Sequence, residues 1–203
     1  MRHATLVARL SSIRPLESPR ADLEQVPTPP EAAATLLEGA LAAGDLADRT
    51  ILDLGTGTGV LAIGAALLGA KSVVGLDIDP SALTRAREEA TRLGVEIRFV
   101  EAAVDTWKSN ADTILMNPPF GAQRRGADRP FWDRAFALAD RAIYAFALAD
   151  SRTFIARRAL ASNTYVESVR PVPWELVRMF PHHRRARVPI PVDLWVIRTD
   201  NQP

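Results

Sequence analysis

Thr50-Ile-Leu-Asp-Leu-Gly-Thr-Gly-Thr-Gly59 joins an apolar run to a loop with a glycine at every second position. The run predicts a short buried strand over Thr50–Leu54, and residues 58–68 predict a helix that ends at Gly69. Glycines between a strand and a helix let backbone N–H groups approach a ligand closely. The segment therefore predicts a nucleotide-binding loop at the end of a central strand.

Strand and helix patterns alternate on either side of this segment. The alternation predicts a doubly wound α/β fold, in which a Rossmann-like, mostly parallel seven-stranded sheet has helices on both faces. Near the C-terminus the last two strands are expected to form an antiparallel pair. The predicted strands cover residues 50–54, 72–76, 96–100, 113–116, 142–147, 165–172 and 192–199. The predicted helices cover residues 1–14, 28–44, 58–68, 79–93, 130–140 and 151–161.

Two of these helices begin with capping signals. In Thr28-Pro-Pro-Glu31, Thr28 is expected to cap the helix, the prolines fit the first turn, and Glu31 completes a capping box. Asp79 directly precedes Pro80 and is expected to cap the helix over residues 79–93. Both helices are therefore predicted to start with a hydrogen bond from the backbone to a side chain.

Composition limits the class of protein. A chain of 203 residues that is 47% hydrophobic is long enough for one domain with a sizeable core. The net charge of +1 does not by itself indicate a nucleic-acid partner. The absence of cysteine excludes disulfides, and three histidines at this spacing predict no metal site. No membrane span or secretion signal is recognised, so a cytoplasmic protein is expected.

Asn117-Pro118-Pro119-Phe120 directly follows the apolar run over residues 113–116. An amino nitrogen on a flat ring is a poor nucleophile, because its lone pair is delocalised into the ring. The Asn117 side-chain oxygen can accept one N–H and the Pro118 carbonyl the other, which concentrates electron density on the nitrogen. Pro119 keeps Pro118 extended, and Phe120 offers a face for stacking. The motif predicts a clamp for a planar amino group that attacks a methyl group; the alternative is a turn that buries Phe120.

The glycine loop does not identify its ligand. Val60 stands where the dinucleotide fingerprint needs glycine, and the lysine of a P-loop is absent. Asp77, at the end of the next strand, is placed to accept ribose hydroxyls, as in enzymes that use NAD or S-adenosylmethionine. Hydride transfer has no use for an amino clamp, so S-adenosylmethionine is predicted. Asp53 is expected either to bind loop N–H groups or to lie near the cationic end of the cofactor.

With both motifs in place, the chain resembles class I S-adenosylmethionine-dependent methyltransferases. More narrowly, it resembles the methyltransferase-like protein five family of archaeal and eukaryotic ribosomal RNA adenine-N6 methyltransferases. The resemblance implies an N-terminal helix and linker over residues 1–22 and one methyltransferase domain over residues 23–203. It is most specific in Leu23-Glu-Gln-Val-Pro-Thr28, Asp53 to Leu61, Val74-Gly-Leu-Asp-Ile-Asp79, Met116-Asn-Pro-Pro-Phe-Gly121, Ile143-Tyr144 and Pro191-Val-Asp-Leu194.

The resemblance also implies roles for individual residues. The expected target is the N6 amino group of an adenosine in small-subunit ribosomal RNA, held by the Asn117-Pro118-Pro119-Phe120 clamp. Where the family usually has an aspartate against the cofactor adenine, this chain has Ala103, and Asp105 lies two residues on. The candidate cofactor-binding residues are Gln25, Thr28, Asp53, Gly55, Thr58, Gly59, Val60, Asp77, Ile78 and Val104.

Two kinds of partner are expected. RNA phosphates are predicted to meet two basic clusters, although the second is equally typical of a solvated turn. Family members work with a small zinc-binding activator protein, and Glu96-Ile-Arg-Phe-Val100 would be the exposed edge strand to which it docks. The alternative for that strand is an ordinary edge with one face buried. The candidate RNA-binding residues are Arg124, Arg125, His183, Arg184 and Arg185.

Two other functions stay open. A protein glutamine N5-methyltransferase faces the same electronic problem at its amide nitrogen, but such enzymes prefer tyrosine where Phe120 stands and lack the Gln-Val-Pro-Thr stretch. A non-catalytic RNA-binding or assembly protein with this fold is the third possibility. Ala103 favours that interpretation, whereas Asp77 and Asn117 argue against it.

Overall fold

The computed structural model describes residues 1–121, 123–177 and 187–199, and strands and helices alternate through them. The helices are α1 (His3–Ser11), α2 (Pro30–Ala42), α3 (Val60–Leu67), α4 (Pro80–Leu93), α5 (Arg129–Leu138) and α6 (Arg152–Ala161). The strands are β1 (Thr50–Leu54), β2 (Ser72–Asp77), β3 (Arg98–Glu101), β4 (Ala111–Met116), β5 (Ala139–Leu148), β6 (Thr164–Val172), β7 (Glu175–Val177), β8 (Arg187–Pro189) and β9 (Val192–Thr199).

Seven of the strands form one sheet in the order β3-β2-β1-β4-β5-β9-β6. The first five are parallel, and β9 runs antiparallel to both β5 and β6. The predicted doubly wound α/β fold is therefore confirmed, including the antiparallel pair near the C-terminus. Since the chain moves from β1 outward to β3 and then returns to β4, the strand order reverses between β1 and β4. Ligands bind at such a switch point, beyond the carboxyl ends of the strands.

Hydrophobic residues on the two faces of the sheet form two clusters. Alternate residues of β1 belong to opposite faces, as the pleat requires, so Ile51 packs with α2 and α3 whereas Leu52 and Leu54 pack with α5 and α6. The helix α1 joins the first cluster through Leu6 and Leu10, which are 0% and 1% exposed. The N-terminal helix is thus part of the main core.

The start of α2 differs from the prediction. Its N-cap is Pro29, no side chain caps it, and the predicted capping box of Thr28 and Glu31 is wrong. The Thr28 hydroxyl accepts a hydrogen bond from the Asn117 side chain, and the Glu31 carboxylate bonds instead to His3 of α1 at 3.1 Å. By contrast, the Asp79 carboxylate accepts the Ser81 N–H at 2.9 Å, so the predicted cap of α4 is confirmed.

A second, two-stranded sheet pairs β7 with β8 and was not predicted. Strands of three residues are too short to show an alternating pattern, so the sequence carries no signal for them. Within residues 1–121, 123–177 and 187–199, no helix is long and apolar enough to cross a bilayer.

Candidate active site

A cavity of about 430 Å³ lies at the switch point of the sheet. Its floor is built from the segments that follow the carboxyl ends of β1, β2, β3 and β4. Residues 15–28, which we call the strap, contribute much of the opposite wall, and Phe131 at the start of α5 closes one side. The sequence predicts a helix and linker over residues 1–22, yet Pro15, Leu16 and Pro19 of that stretch line the cavity. The glycine loop and Asn117 therefore share one pocket.

The glycine loop takes a conformation that most residues avoid. Gly55, Gly57 and Gly59 have φ values of +70°, +54° and +86°. A Cβ on Gly55 would lie 2.8 Å from the Phe131 ring, so this side chain packs directly over the loop. A Cβ on Gly59 would lie 3.4 Å from Ala86, because Gly59 is turned toward the core. Gly59 does not line the cavity, unlike Gly55 and Gly57.

Asp77 fixes the loop from the end of β2. One carboxylate oxygen accepts the Gly57 N–H at 2.8 Å and the other the Asp79 N–H at 3.0 Å. Burial raises the pKa of Asp77, and these two backbone N–H groups oppose the shift. Each oxygen keeps a second lone pair, so Asp77 can still accept hydrogen bonds from the hydroxyl groups of a ligand in the cavity.

Asp53 is 1% exposed and holds the loop against α3. One oxygen accepts the Thr56 hydroxyl at 2.7 Å and the Ala62 N–H at 3.1 Å, within the first turn of that helix. The backbone N–H that Asp53 binds belongs to α3 rather than to the loop, and Asp53 also lines the cavity. Burial raises the pKa of Asp53 to about 7, because the hydrogen bonds replace water only in part.

Asn117 follows β4 and lines the cavity. Its side-chain nitrogen donates to the Thr28 hydroxyl at 3.0 Å and toward the Val26 carbonyl at 3.5 Å. The carbonyl of Val26 can only accept, so these contacts place the NH₂ end of the amide against the strap. The Asn117 side-chain oxygen is buried and has no hydrogen-bond partner. A buried acceptor without a donor is costly, and it is a common feature of a binding site.

The strap is tethered on both sides of the cavity. Glu24, at φ +50°, accepts the N–H groups of Gly121 at 2.9 Å and Gln123 at 2.8 Å, just beyond the clamp. On the opposite side the Gln25 side chain accepts the Arg20 N–H at 2.6 Å and donates to Asp79 at 2.6 Å. The resemblance includes Glu24 in its specific Leu23–Thr28 stretch but assigns it no role; the structure shows it as a tether of the strap.

Comparison with known proteins identifies full-length relatives. The rRNA N6-adenosine-methyltransferase Mettl5 of Drosophila melanogaster is 31% identical over 194 residues, which cover 92% of this chain and 91% of the relative. The rRNA N6-adenosine-methyltransferase METTL5 of Danio rerio is 32% identical over 200 residues, covering 95% and 97%. The chain belongs to the METTL5 family. The predicted family is confirmed, and S-adenosylmethionine is the methyl donor of this family.

Three further comparisons place the METTL5 family among its neighbours. A crystal structure from Pyrococcus horikoshii, named as a candidate RNA methyltransferase, matches with a TM-score of 0.91, 34% identity and 98% coverage of both chains. The family model of ribosomal protein L11 methyltransferase (PrmA) matches residues 34–118. The L11 methyltransferase of Pseudomonas paraeruginosa is 48% identical over 75 residues, or 36% of this chain and 26% of that protein. The likeness to the L11 enzymes thus covers the glycine loop and Asp77 but not the strap.

The candidate residues separate into those that line the cavity and those that do not. Gly59, Pro118, Phe120 and Arg125 do not line it, and His183, Arg184 and Arg185 lie outside the described residues. Those that do are Gln25, Thr28, Asp53, Gly55, Thr58, Val60, Asp77, Ile78, Val104, Asn117, Pro119 and Arg124. Ala103 and Asp105 also line the cavity, so the position at which the METTL5 family usually carries an aspartate faces the same space.

Phe120 is half-buried, and its position is set by a residue that the sequence did not single out. Its ring packs edge to face on Trp174, with centroids 5.7 Å apart and planes 65° apart. Trp174 packs in turn on Phe146 at 5.0 Å and is only 3% exposed. The clamp of this METTL5 family member therefore rests on an aromatic cluster at the base of β7.

The predicted edge strand is shifted and partly turned inward. β3 begins at Arg98 rather than Glu96, and it is an edge of the seven-stranded sheet, as predicted. Phe99 is 8% exposed and packs in the core, which matches the alternative of an ordinary edge strand with one face buried. Ile97 lies before the strand and is partly buried against the same core. Any strand addition at this edge of the METTL5 fold must therefore rely on the backbone and on the outer side chains.

Proposed function

We propose that this protein transfers a methyl group from S-adenosylmethionine to the N6 amino group of an adenosine in ribosomal RNA. The observation that carries the proposal is the Asn117 amide, whose nitrogen is held by the strap and whose buried oxygen has no partner. An acceptor of this kind on the wall of a nucleotide cavity suits an N–H donor on the substrate. The proposed location is the cytoplasm, as the sequence predicts.

The glycine loop and Asp77 are the proposed contacts of the cofactor. Gly55 and Gly57 line the cavity without side chains, so a ligand can approach the loop backbone closely, and Asp77 keeps acceptor capacity for the ribose hydroxyls. Bound S-adenosylmethionine supplies an electrophilic methyl group. The residues around the cavity therefore need only to hold and orient the amino nitrogen and to exclude water.

The clamp orients the amino nitrogen of the substrate. In the proposed mechanism Asn117 accepts one N–H of the amino group and the Pro118 carbonyl accepts the other, so the nitrogen lone pair is withdrawn from the ring. Pro118 is buried and does not line the cavity, and no donor among the described residues bonds to its carbonyl. As the nitrogen formed its bond to the methyl carbon, the bond from that carbon to the cofactor sulfur would break and S-adenosylhomocysteine would be released; the nitrogen, then cationic, would lose a proton to water. No strong base is needed, because the proton leaves only after the N–C bond has formed.

A protein substrate is the alternative that one observation favours. The PrmA family model matches residues 34–118, and L11 methyltransferases are named for a ribosomal protein. However, the strap residues that hold Asn117 lie outside that segment, and the full-length relatives are named for adenosine in rRNA. We therefore favour RNA, and a protein substrate becomes one outcome of the test.

The test measures transfer and cofactor binding together. The protein is incubated with labelled S-adenosylmethionine and either unmodified small-subunit ribosomal RNA or ribosomal protein, with Asn117→Ala as the matched control. Label is expected in N6-methyladenosine, and Asn117→Ala is expected to slow transfer by about 10²- to 10³-fold, as for loss of one oriented polar group. S-adenosylhomocysteine binding by calorimetry should stay within a few-fold. Label in protein alone, or no label with intact binding, would contradict the proposal.

We further propose that arginines beyond the clamp hold RNA phosphates. Arg124 lines the cavity, and Arg125 is exposed beside it. His183, Arg184 and Arg185 are proposed as the second contact. Charge reversal at Arg184 and Arg185 should weaken RNA binding and lower the slope of log affinity against log salt by about one for each lost contact. An unchanged affinity and slope would remove these residues from the RNA surface.

We propose a small zinc-binding activator as the protein partner, docked by strand addition on β3. The edge position of β3 supports this, because the backbone groups on its outer side are not paired within the sheet. Co-expression followed by size-exclusion chromatography should give a 1:1 complex with higher methyl-transfer activity. Two separate elution peaks with unchanged activity would contradict the proposal.

A further inference from the structure

Charge is divided unevenly along the chain. Residues 1–121 contain 11 lysines and arginines against 16 aspartates and glutamates, whereas residues 123–158 contain eight arginines against four aspartates. The net charge of +1 for the whole chain hides this division. Residues 123–158 form the loop after the clamp, α5, β5 and the first part of α6. A basic surface is therefore expected on the face of the sheet that α5 and α6 cover.

Half of these eight arginines are committed to other groups of the protein. Each donates a hydrogen bond or forms an ion pair, and they are Arg134, Arg141, Arg152 and Arg158. The other half are exposed and form no ion pair within the part of the chain that the structure describes. They are Arg124, Arg125, Arg129 and Arg157. Their guanidinium groups are free to bind phosphates through two parallel hydrogen bonds.

Arg129 lies at the rim of the cavity. The two residues that follow it, Pro130 and Phe131, line the cavity, whereas Arg129 itself is exposed beside them. Its guanidinium carbon lies 5.6 Å from the centre of the Phe154 ring on α6. A guanidinium over an aromatic face is attracted to the ring and keeps its charge. Phe154 therefore holds Arg129 in place without neutralising it.

The same pair of helices places Arg157 nearby. α5 contacts α6 at two levels, since Arg129 lies over Phe154 and Asp133, four residues on, pairs with Arg158. Residues three apart are neighbours on one side of a helix, so Arg157 lies about one turn beyond Phe154. Arg129 and Arg157 therefore extend the basic charge from the cavity rim along the line where α5 meets α6. We call this line the α5–α6 surface.

We infer that the α5–α6 surface binds the RNA backbone next to the target adenosine, with Arg129 and Arg157 as phosphate contacts. The inference rests on the proposed function and names the surface that holds the substrate outside the cavity. The excess of acidic residues over residues 1–121 repels the same polyanion. The RNA is thus held on the side of α5 and α6 rather than on the side of α1 to α4.

Three variants test the surface, and one serves as the matched control. Arg129→Ala, Arg157→Ala and the double variant remove charge from exposed side chains that form no ion pair, so the fold should be kept. Lys71→Ala removes the same charge from an exposed residue directly before β2, at the amino edge of the sheet and away from the cavity. Each protein is measured for thermal unfolding and for S-adenosylhomocysteine binding by calorimetry. Binding of a fluorescently labelled transcript of small-subunit ribosomal RNA is followed by anisotropy at several salt concentrations.

Each single substitution is expected to reduce the steepness of log affinity against log salt by about 0.7 to 0.9, and to weaken RNA binding about five- to eightfold at about 0.1 M salt. The double variant should combine both losses. Lys71→Ala should bind RNA as wild type does, and S-adenosylhomocysteine affinity should be unchanged throughout.

Wild-type RNA affinity and salt dependence in the double variant would overturn the inference. An equal loss in Lys71→Ala would also overturn it, because that loss would reflect net charge alone. If the wild-type protein bound RNA through these arginines but formed no N6-methyladenosine, the proposed function would be wrong instead.

Discussion

At the scale of single residues, Asp53 makes stability depend on pH. Burial raises its pKa from 3.8 in the unfolded chain to about 7. Between these values the folded protein keeps a proton that the unfolded chain has lost. The contribution of Asp53 to stability is therefore fully present below about pH 4 and is lost as the pH rises through 7.

Asp53→Asn is expected to remove this dependence. The amide oxygen can still accept the Thr56 hydroxyl and the Ala62 N–H, so the fold of the loop is retained. The free energy of unfolding of the variant, relative to that of wild type, should rise by about 2 to 3 kcal/mol from pH 5 to pH 8. Each pH unit in the range where only the folded protein keeps the proton corresponds to about 1.4 kcal/mol. Urea unfolding at the two pH values measures the gain. Equal differences at both pH values would show that Asp53 does not titrate in this range.

The sequence identifies residues whose roles are local and misses those whose partners are distant. The cap at Asp79 was predicted because its partner Ser81 lies two residues away. The contact between Asn117 and Thr28 spans 89 positions, and no spacing rule connects them. Only the fold brings these two residues together.

At the scale of elements, two helical glycines make a matched pair. A Cβ on Gly64 of α3 would overlap Leu37 of α2 and lie 3.3 Å from Leu10 of α1. A Cβ on Gly39 of α2 would meet only the Arg170 side chain, at 4.0 Å. The first glycine allows three helices to pack closely, whereas the second has no steric reason to lack a side chain.

Gly64→Ala should therefore destabilise the protein by about 1 to 3 kcal/mol through overpacking. Gly39→Ala should stabilise it by about 0.5 to 1 kcal/mol, because alanine favours a helix and the site has room. Chemical denaturation of both variants gives the two values. If Gly64→Ala were as stable as Gly39→Ala, the close packing of α2 on α3 would be wrong.

Element bounds were predicted best where apolar runs are short and end at a turn. Both ends of β1 and β9 match the predicted residues, because a charged residue, a proline or a glycine stops each run. β3 is shifted by two residues at its start, since Glu96 and Ile97 continue the alternating pattern without pairing. The first part of the strap, residues 15–22, is predicted as a linker because its apolar residues follow no helical or strand period; in the folded protein Pro15, Leu16 and Pro19 line the cavity.

At the scale of the whole molecule, the N-terminal helix is stabilised by the same core as the sheet. The sequence predicts a separate helix and linker over residues 1–22, ahead of a domain over residues 23–203. Leu6 and Leu10 are nevertheless buried against α2 and α3, and the strap that follows lines the cavity. Removal of packing at α1 should therefore lower the stability of the entire fold in one transition.

Leu10→Ala in the full-length protein measures this coupling, with Leu160→Ala as its control. Leu10 is 1% exposed and Leu160 is 83% exposed, so the substitution is chemically the same in opposite environments. Leu10→Ala is expected to cost about 2 to 5 kcal/mol of unfolding free energy, whereas Leu160→Ala should stay within about 0.5 kcal/mol. Urea unfolding should remain a single transition for both, because α1 has no core of its own. A Leu10→Ala variant that unfolds with wild-type stability would show instead that α1 is an appendage, and that residues 23–203 form the stable domain alone.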